Sequence, residues 1–232
     1  MVRRNTGFTL IEMLVSMVLL SLVIMIASGA YALFNQHWHG RLGRFNQSSH
    51  LTRHMILVQE SLNSITPYVV FNKDKRPKLY FEGNRNGFVA VSSRSVFNQS
   101  YPAVIRLQAV QNPNLTYTLS YQEWLMDRNV LIDSTQQIPF GKPMVLFDKL
   151  SSVEFSYYGW PSLGDAVWSS DGSSDRPQQM QDWFSDFNSL ERMVHPEQIS
   201  VSFVTPQGEF KLQTHLISPV PGLLSRYQTD TD

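Results

Sequence analysis

The hydrophobic pattern changes character twice along the 232 residues. From Gly7-Phe8-Thr9-Leu10-Ile11-Glu12-Met13 an apolar run extends to Phe34, and its one charge is Glu12. At about 1.5 Å per residue a helix over this run reaches roughly the 30 Å of a bilayer's hydrocarbon core, so residues 8–34 are expected to form a single transmembrane helix. From 35 to 66 the apolar positions Leu42, Phe45, Met55, Ile56, Leu62 and Ile65 recur near helical spacing, with Asn46, Gln47, Arg53 and Gln59 between them and no proline until Pro67. This predicts an amphipathic continuation of the same helix. Gly29, Gly40 and Gly43 each weaken it by up to about 1 kcal/mol relative to alanine and mark points of bending or close approach.

After Pro67 the period falls from helical to alternating. Lys78–Glu82, Gly87–Ser92, Val104–Val110, Leu115–Tyr121, Glu123–Met126, Met144–Phe147, Val153–Tyr158, Ile199–Thr205 and Glu209–Leu216 read as strands. Turns are expected at Asn84–Gly87, at Asn112–Asn114 and at Pro206-Gln207-Gly208. The expectation is an α+β chain: a long N-terminal helix, transmembrane then amphipathic, packed on an antiparallel domain of about seven to nine strands in two sheets over 67–220. Within it 159–198 reads as a loop insertion. Its Ser169–Asp175 stretch is polar and flexible, flanked by Trp160, Trp168, Trp183, Phe184 and Phe187. Those aromatics serve either as a contact surface or as the packing of the insertion on its own sheet. Residues 221–232 form a C-terminal tail.

Composition narrows the function classes. Basic and acidic residues balance at 19 each, and no basic stripe or aromatic–basic module points to nucleic acid. The absence of cysteine removes disulfides, thiolate metal sites and a cysteine nucleophile. His50 and His54 share a helix face without a third ligand, and Asp165, Asp171, Asp175, Asp182 and Asp186 do not follow an EF-hand spacing, so neither metal nor other cofactor is expected. His37 and His39 read with them as polar residues on the wet face. No Gly-x-Ser-x-Gly, His-Glu-x-x-His or phosphate-cradling glycine loop is present, and a non-enzymatic role is expected, with a membrane-tethered enzyme or binding domain as the distant alternative.

Glu12 is the residue that asks for an explanation, since an acidic side chain deep in a span costs roughly 2.5–3.5 kcal/mol. Either it lies near enough to the interface to stay hydrated, or a cation offsets it. Cleavage after Gly7 would place a new amine on Phe8, four residues before Glu12, where the two can pair within one helix or between neighbouring copies. Two other fates of the segment are a signal cleaved at Ala30-Tyr31-Ala32 and a plain uncleaved anchor.

The stretch Arg3-Arg4-Asn5-Thr6-Gly7 followed by Phe8-Thr9-Leu10-Ile11-Glu12 resembles the class III signal of type IV pilins and type II secretion pseudopilins. The resemblance implies a leader of residues 1–7, cut after Gly7 by a prepilin peptidase that methylates the amine of Phe8. It also implies an assembly role for Glu12 in matching a subunit to its neighbour's amino terminus. Loss of the two leader arginines from the 19 basic residues would leave 17 against 19 acidic, a side-chain balance of −2. Positive charges flank the span nearly equally, Arg3 and Arg4 before it and Arg41 and Arg44 after, so orientation rests on the resemblance: N-terminus inside, large domain in the periplasm. Many pilins carry proline near the position of Gly29, and this chain departs from them there.

The β region is similar to J-type minor pseudopilins of type II secretion, through Leu79–Gly83 with Gly87-Phe88-Val89, the strands after Tyr101-Pro102, Val145–Leu150 leading to Val153–Tyr158, and His195–Val201. That implies partnership with other minor pseudopilins in a tip complex, and with the inner-membrane assembly platform, to initiate a periplasmic pseudopilus for protein export. The alternative on the same residues is a minor pilin of a type IV pilus.

Overall fold

The computed structural model describes residues 9–171 and 180–217, with the backbone alone for 36–49 and 168–171. The expected leader, the tail over 221–232, and Gly7, Phe8 and Asp175 lie outside them, as do the side chains of His37, His39, Leu42, Phe45, Trp168 and Asp171. Two compact units are present, residues 1–52 and 53–232.

The first helix, α1, runs Leu10–Asn63. The backbone stays helical through Gly29, Gly40 and Gly43, each glycine's cost being small against the cooperativity of a long helix. In the first unit Leu10–Asn35 is long and apolar enough to cross a membrane, ~39 Å of helix. It buries none of that surface within the chain.

The C-terminal turns of α1 belong to the second unit. The helix ends three residues before the expected limit of 66. Ser64 N–H still donates to Glu60 at 3.0 Å, Ile65 tightens to Leu62, and Thr66 N–H already bonds Val91 as in a sheet. Thr66 precedes Pro67, and a residue in that position avoids helical backbone angles. The buried stripe here is Val58, Ser61, Leu62 and Ile65. Ile56, expected on the dry face, is exposed, because it stands two residues, about 200°, around the helix from Val58.

The remainder is antiparallel β structure, richer than expected: twelve strands among the described residues. Strands β1 (Val69–Phe71) and β2 (Pro77–Leu79) form a ribbon. Strands β3 (Phe81–Asn84), β4 (Gly87–Ser92), β5 (Ala103–Gln111), β6 (Tyr117–Leu125) and β7 (Met144–Leu150) follow as a meander. The strand expected at 78–82 is divided at Tyr80, whose N–H turns to the Tyr68 carbonyl at 2.9 Å, so its halves serve the ribbon and the meander. Conversely, Leu115–Tyr121 and Glu123–Met126 merge into β6, since no turn residue separates them.

Strand β8 (Ser152–Gly159) opens a second sheet and leads to α2 (Leu163–Asp171). Then come β9 (Asp182–Phe184), β10 (Phe187–Asn188), the one-turn α3 (Ser189–Arg192), β11 (Gln198–Thr205) and β12 (Gly208–His215). The sheet orders are β10-β3-β4-β5-β6-β7 and β12-β11-β8-β9. The expected loop insertion is therefore built into the fold, β9 extending one sheet and β10 the other. Its polar stretch begins inside α2, started by Ser162, whose Oγ accepts from Asp165 N–H. Of the insertion's aromatics, Phe187 is fully buried, and Arg192 lies over the rings of Phe184 and Phe187 at 4.1 and 4.7 Å. Trp183 stays partly exposed against Tyr158.

Alternation then explains the core. Phe81, Phe88, Leu107 and Tyr121 line the inner face of the six-stranded sheet and meet Phe155 and Tyr157 from the other. On the outer face Tyr80, Val91 and Val104 form a second cluster with Val70, Met126 and Leu131, against which Trp124, Ile138 and Phe140 pack. Side chains tie the end of α1 to these sheets: Ser92 Oγ to Ser64 Oγ at 2.7 Å, Thr214 Oγ1 to Asn63 Oδ1 at 2.5 Å, and His54 edge-on to Phe147. His54 is thus half-buried, where a wet face was expected. The whole is an α+β arrangement of an N-terminal apolar helix followed by antiparallel sheets, of the pilin-like kind.

Candidate functional site

The first turn of α1 is organised by two residues. Thr9 N–H and Thr9 Oγ1–H both donate to Glu12 Oε2 at 3.0 Å, and Glu12 N–H returns a longer bond of 3.4 Å to Thr9 Oγ1. Met13 N–H donates to the Thr9 carbonyl, the first rung of the helix. This is a reciprocal cap: a helix leaves its first N–H groups without partners, and a Thr-x-x-Glu pair satisfies two of them. The carboxylate also lies where the helix dipole favours negative charge. Ser16 Oγ donates to the Glu12 carbonyl at 2.7 Å, one turn on.

Of the predicted site residues, Gly7 and Phe8 lie outside the described residues and Glu12 sits in the first turn of the apolar helix. The sequence reading assigned Thr9 nothing, although the Thr-x-x-Glu signal was present. Chemically, Glu12 is held by Thr9 through one oxygen in a side chain that remains exposed. A carboxylate so placed can accept a further donor without first being dug out of a core.

Among the described residues no three His, Asp or Glu side chains gather as metal ligands. His50 is exposed, Asp186 faces Arg192 at 4.0 Å, and Asp182 accepts from the neighbouring Trp183 N–H. A cleft of about 450 Å³ on the outer face of the six-stranded sheet is lined by Glu82, Asn84, Arg106, Gln108 and Asn188 with Val89. Beside it, burial pushes the Tyr80 phenol up to about 12, with Glu82 adding to the rise and Arg106 opposing it.

Residues 2–28 match the prokaryotic N-terminal methylation motif, and that match, with the apolar helix it enters, supports a type IV pilin-like protein. The motif and the helix are consistent with a single-pass membrane anchor. No curated protein matches the chain.

Proposed function

We propose that the chain is a non-enzymatic minor pseudopilin of a type II secretion system, inserted in the inner membrane with its β domain in the periplasm. Processed after Gly7 and methylated on Phe8, it joins other minor pseudopilins in a complex that initiates the pseudopilus. The observation that carries this reading is the methylation motif over 2–28 running directly into a helix whose first turn presents Glu12 at an exposed cap. A carboxylate held by Thr9 can exchange those bonds for a neighbouring subunit's Phe8 amine, and in low-dielectric lipid the Coulomb attraction between the two charges is stronger than in water. The order of blocks through the β domain favours the J type.

The test is the mass and amino-terminal sequence of the mature protein, from cells with and without the prepilin peptidase. A peptidase-dependent start at N-methylated Phe8 is expected. A start at Leu33, or an intact Met1, would overturn the proposal. Deletion of the chain should then abolish export of folded periplasmic proteins; loss of piliation with export intact would assign it to a type IV pilus instead.

A further inference from the structure

On the outer face of the six-stranded sheet, the register of β3, β4 and β5 sets four polar side chains around two positions that offer none. Glu82, Val89 and Arg106 are cross-strand partners in one row, and Asn84, Gly87 and Gln108 are partners in the next. Strands stand about 4.8 Å apart and alternate residues about 6.8 Å apart, so Glu82 and Asn84 stand opposite Arg106 and Gln108 across a rectangle of about 9.6 by 6.8 Å. Val89 and Gly87 are its floor. That floor stays open at Gly87, whose φ of 151° suits only glycine and where a Cβ would collide with the Leu107 carbonyl. Asn188 on β10 pairs with Glu82 and adds a further amide to the same cleft of about 450 Å³.

The hydrogen-bonding capacity left over in this cleft is lopsided. Asn84 Oδ1 already accepts from Asn86 N–H at 2.8 Å, and Asn188 Oδ1 from Leu190 N–H at 3.0 Å. Each bond fixes which end of the amide is oxygen, so what Asn84 and Asn188 have left is their NH2 donors. The Arg106 guanidinium stacks on the Phe140 ring at 4.0 Å, a contact through its face that leaves the N–H groups on its edge unused. Among the described residues no hydrogen bond or ion pair engages Arg106, the Gln108 amide or the Glu82 carboxylate, and the two charges do not pair with each other over Val89. The cleft therefore offers several donors, one of them cationic, against one carboxylate acceptor, above an apolar floor.

A matching ligand is rich in oxygen acceptors, carries an anion for Arg106, gives a hydroxyl hydrogen to Glu82 and is partly apolar beneath. A bare carboxylate or phosphate satisfies Arg106 and is repelled by Glu82. An extended peptide brings N–H groups that meet few side-chain acceptors here. A sugar ring meets every condition: its hydroxyls lie around the rim, each able to donate and to accept, and its C–H face can rest on Val89. We propose that this cleft is a saccharide site holding a hexuronate, a sugar ring that bears a carboxylate. The carboxylate takes the Arg106 fork, one hydroxyl donates to Glu82, and the other oxygens accept from the Asn84, Asn188 and Gln108 amides.

The test is a titration of the full-length protein, in a detergent without a sugar headgroup, followed by ligand-observed NMR. Sodium glucuronate should bind saturably with a Kd on the order of 1 mM, and glucose and acetate about tenfold more weakly. Arg106→Gln should weaken glucuronate about tenfold or more, and Gln108→Leu, at an exposed position, about threefold. Glu82→Ala should weaken glucuronate while strengthening acetate. Gln108→Leu and Glu82→Ala should melt within about 2 °C of the wild type, so they carry the test even where Arg106→Gln disturbs the stack on Phe140. A glucuronate-bearing tetrasaccharide that binds as tightly places the ring in a polysaccharide, and one that fails where the monosaccharide binds assigns the site to a free sugar acid; both uphold the site. No saturation by about 20 mM glucuronate, acetate binding as well as glucuronate (an adventitious ion only), affinity unchanged in Arg106→Gln and Gln108→Leu, or binding of a short Asp- and Lys-bearing peptide in place of the sugar would overturn the proposal. These readouts are of binding alone, so their failure leaves the assembly reading untouched.

Discussion

The ring of Tyr157 lies against the bare backbone of Gly83, so close that a Cβ at Gly83 would stand 2.4 Å from Tyr157 Cζ. The contact joins one sheet to the other, and the Tyr157 ring is fully buried with Phe81 at 5.5 Å. Gly83→Ala should therefore cost about 2–4 kcal/mol and lower Tm by roughly 5–15 °C, read by thermal melting of the full-length protein. A melt unchanged within a degree would show that the sheets separate easily.

Tyr157 also reaches across with its hydroxyl, which lies 2.9 Å from the Asn84 carbonyl and 2.8 Å from that of Gly87. Burial holds its phenol well above the ordinary range. Tyr157→Phe should keep the packing and lose about 1–3 kcal/mol through the abandoned carbonyls. Denaturant melts of the two proteins give this number directly.

Glu123 gathers one loop. Its carboxylate accepts from the Ser95 hydroxyl, from Val96 N–H at 3.0 Å and from the Tyr121 hydroxyl at 2.7 Å. Burial, then the bond and charge of Glu123, hold the Tyr121 phenol far above its usual value. Glu123→Ala should strip three donors of their acceptor, cost about 2–4 kcal/mol and raise proteolysis within 93–101. Cleavage at the wild-type rate would rule out the carboxylate as the loop's anchor.

His195 makes stability depend on acid. The ring is buried, Nδ1 faces the Pro196 carbonyl at 3.0 Å, Nε2 meets no hydrogen-bond partner among the described residues, and Phe81 packs on it at 5.4 Å. Burial pushes its pKa down from 6.5 to about 4. The folded state thus favours the neutral ring, and the unfolded chain binds the proton first. Its contribution is complete above about pH 6.5 and is lost as pH falls towards 4, by roughly 3 kcal/mol in all. His195→Gln should flatten that part of the pH profile, which urea melts at pH 7, 5.5 and 4.5 would measure.

Glu12→Ala removes the capping carboxylate and, on the proposed function, the partner of a neighbour's amine. Processing after Gly7 should continue, because the leader is intact, while assembly and export fail. Unimpaired export by a processed Glu12→Ala protein would count decisively against the assembly role.

Much of the β domain was readable from alternation alone. Gly87–Ser92 matches its expected strand at both ends, and five others are displaced by one to three residues at an end. Three unexpected strands share a cause. Val69–Phe71, Asp182–Phe184 and Phe187–Asn188 are too short to show a period, and they become strands because a neighbour offers free backbone groups. Thr9 and Glu12 carry the Thr-x-x-Glu spacing of a helix cap in the sequence, but the start of a helix inside a long apolar run is not marked by periodicity.

The sequence by itself determined what depends on local order: an apolar run of spanning length, the methylation motif that opens it, a lone Glu12 near its start, and the switch from helical to alternating period at Pro67. Those features need no distant contact to exist. Only the tertiary structure decided how the 159–198 segment is shared between two sheets, why residue 83 is glycine, and that Glu82 and Arg106 line one cleft. Each of these is set by what approaches from far along the chain, which is not written in hydrophobic periodicity.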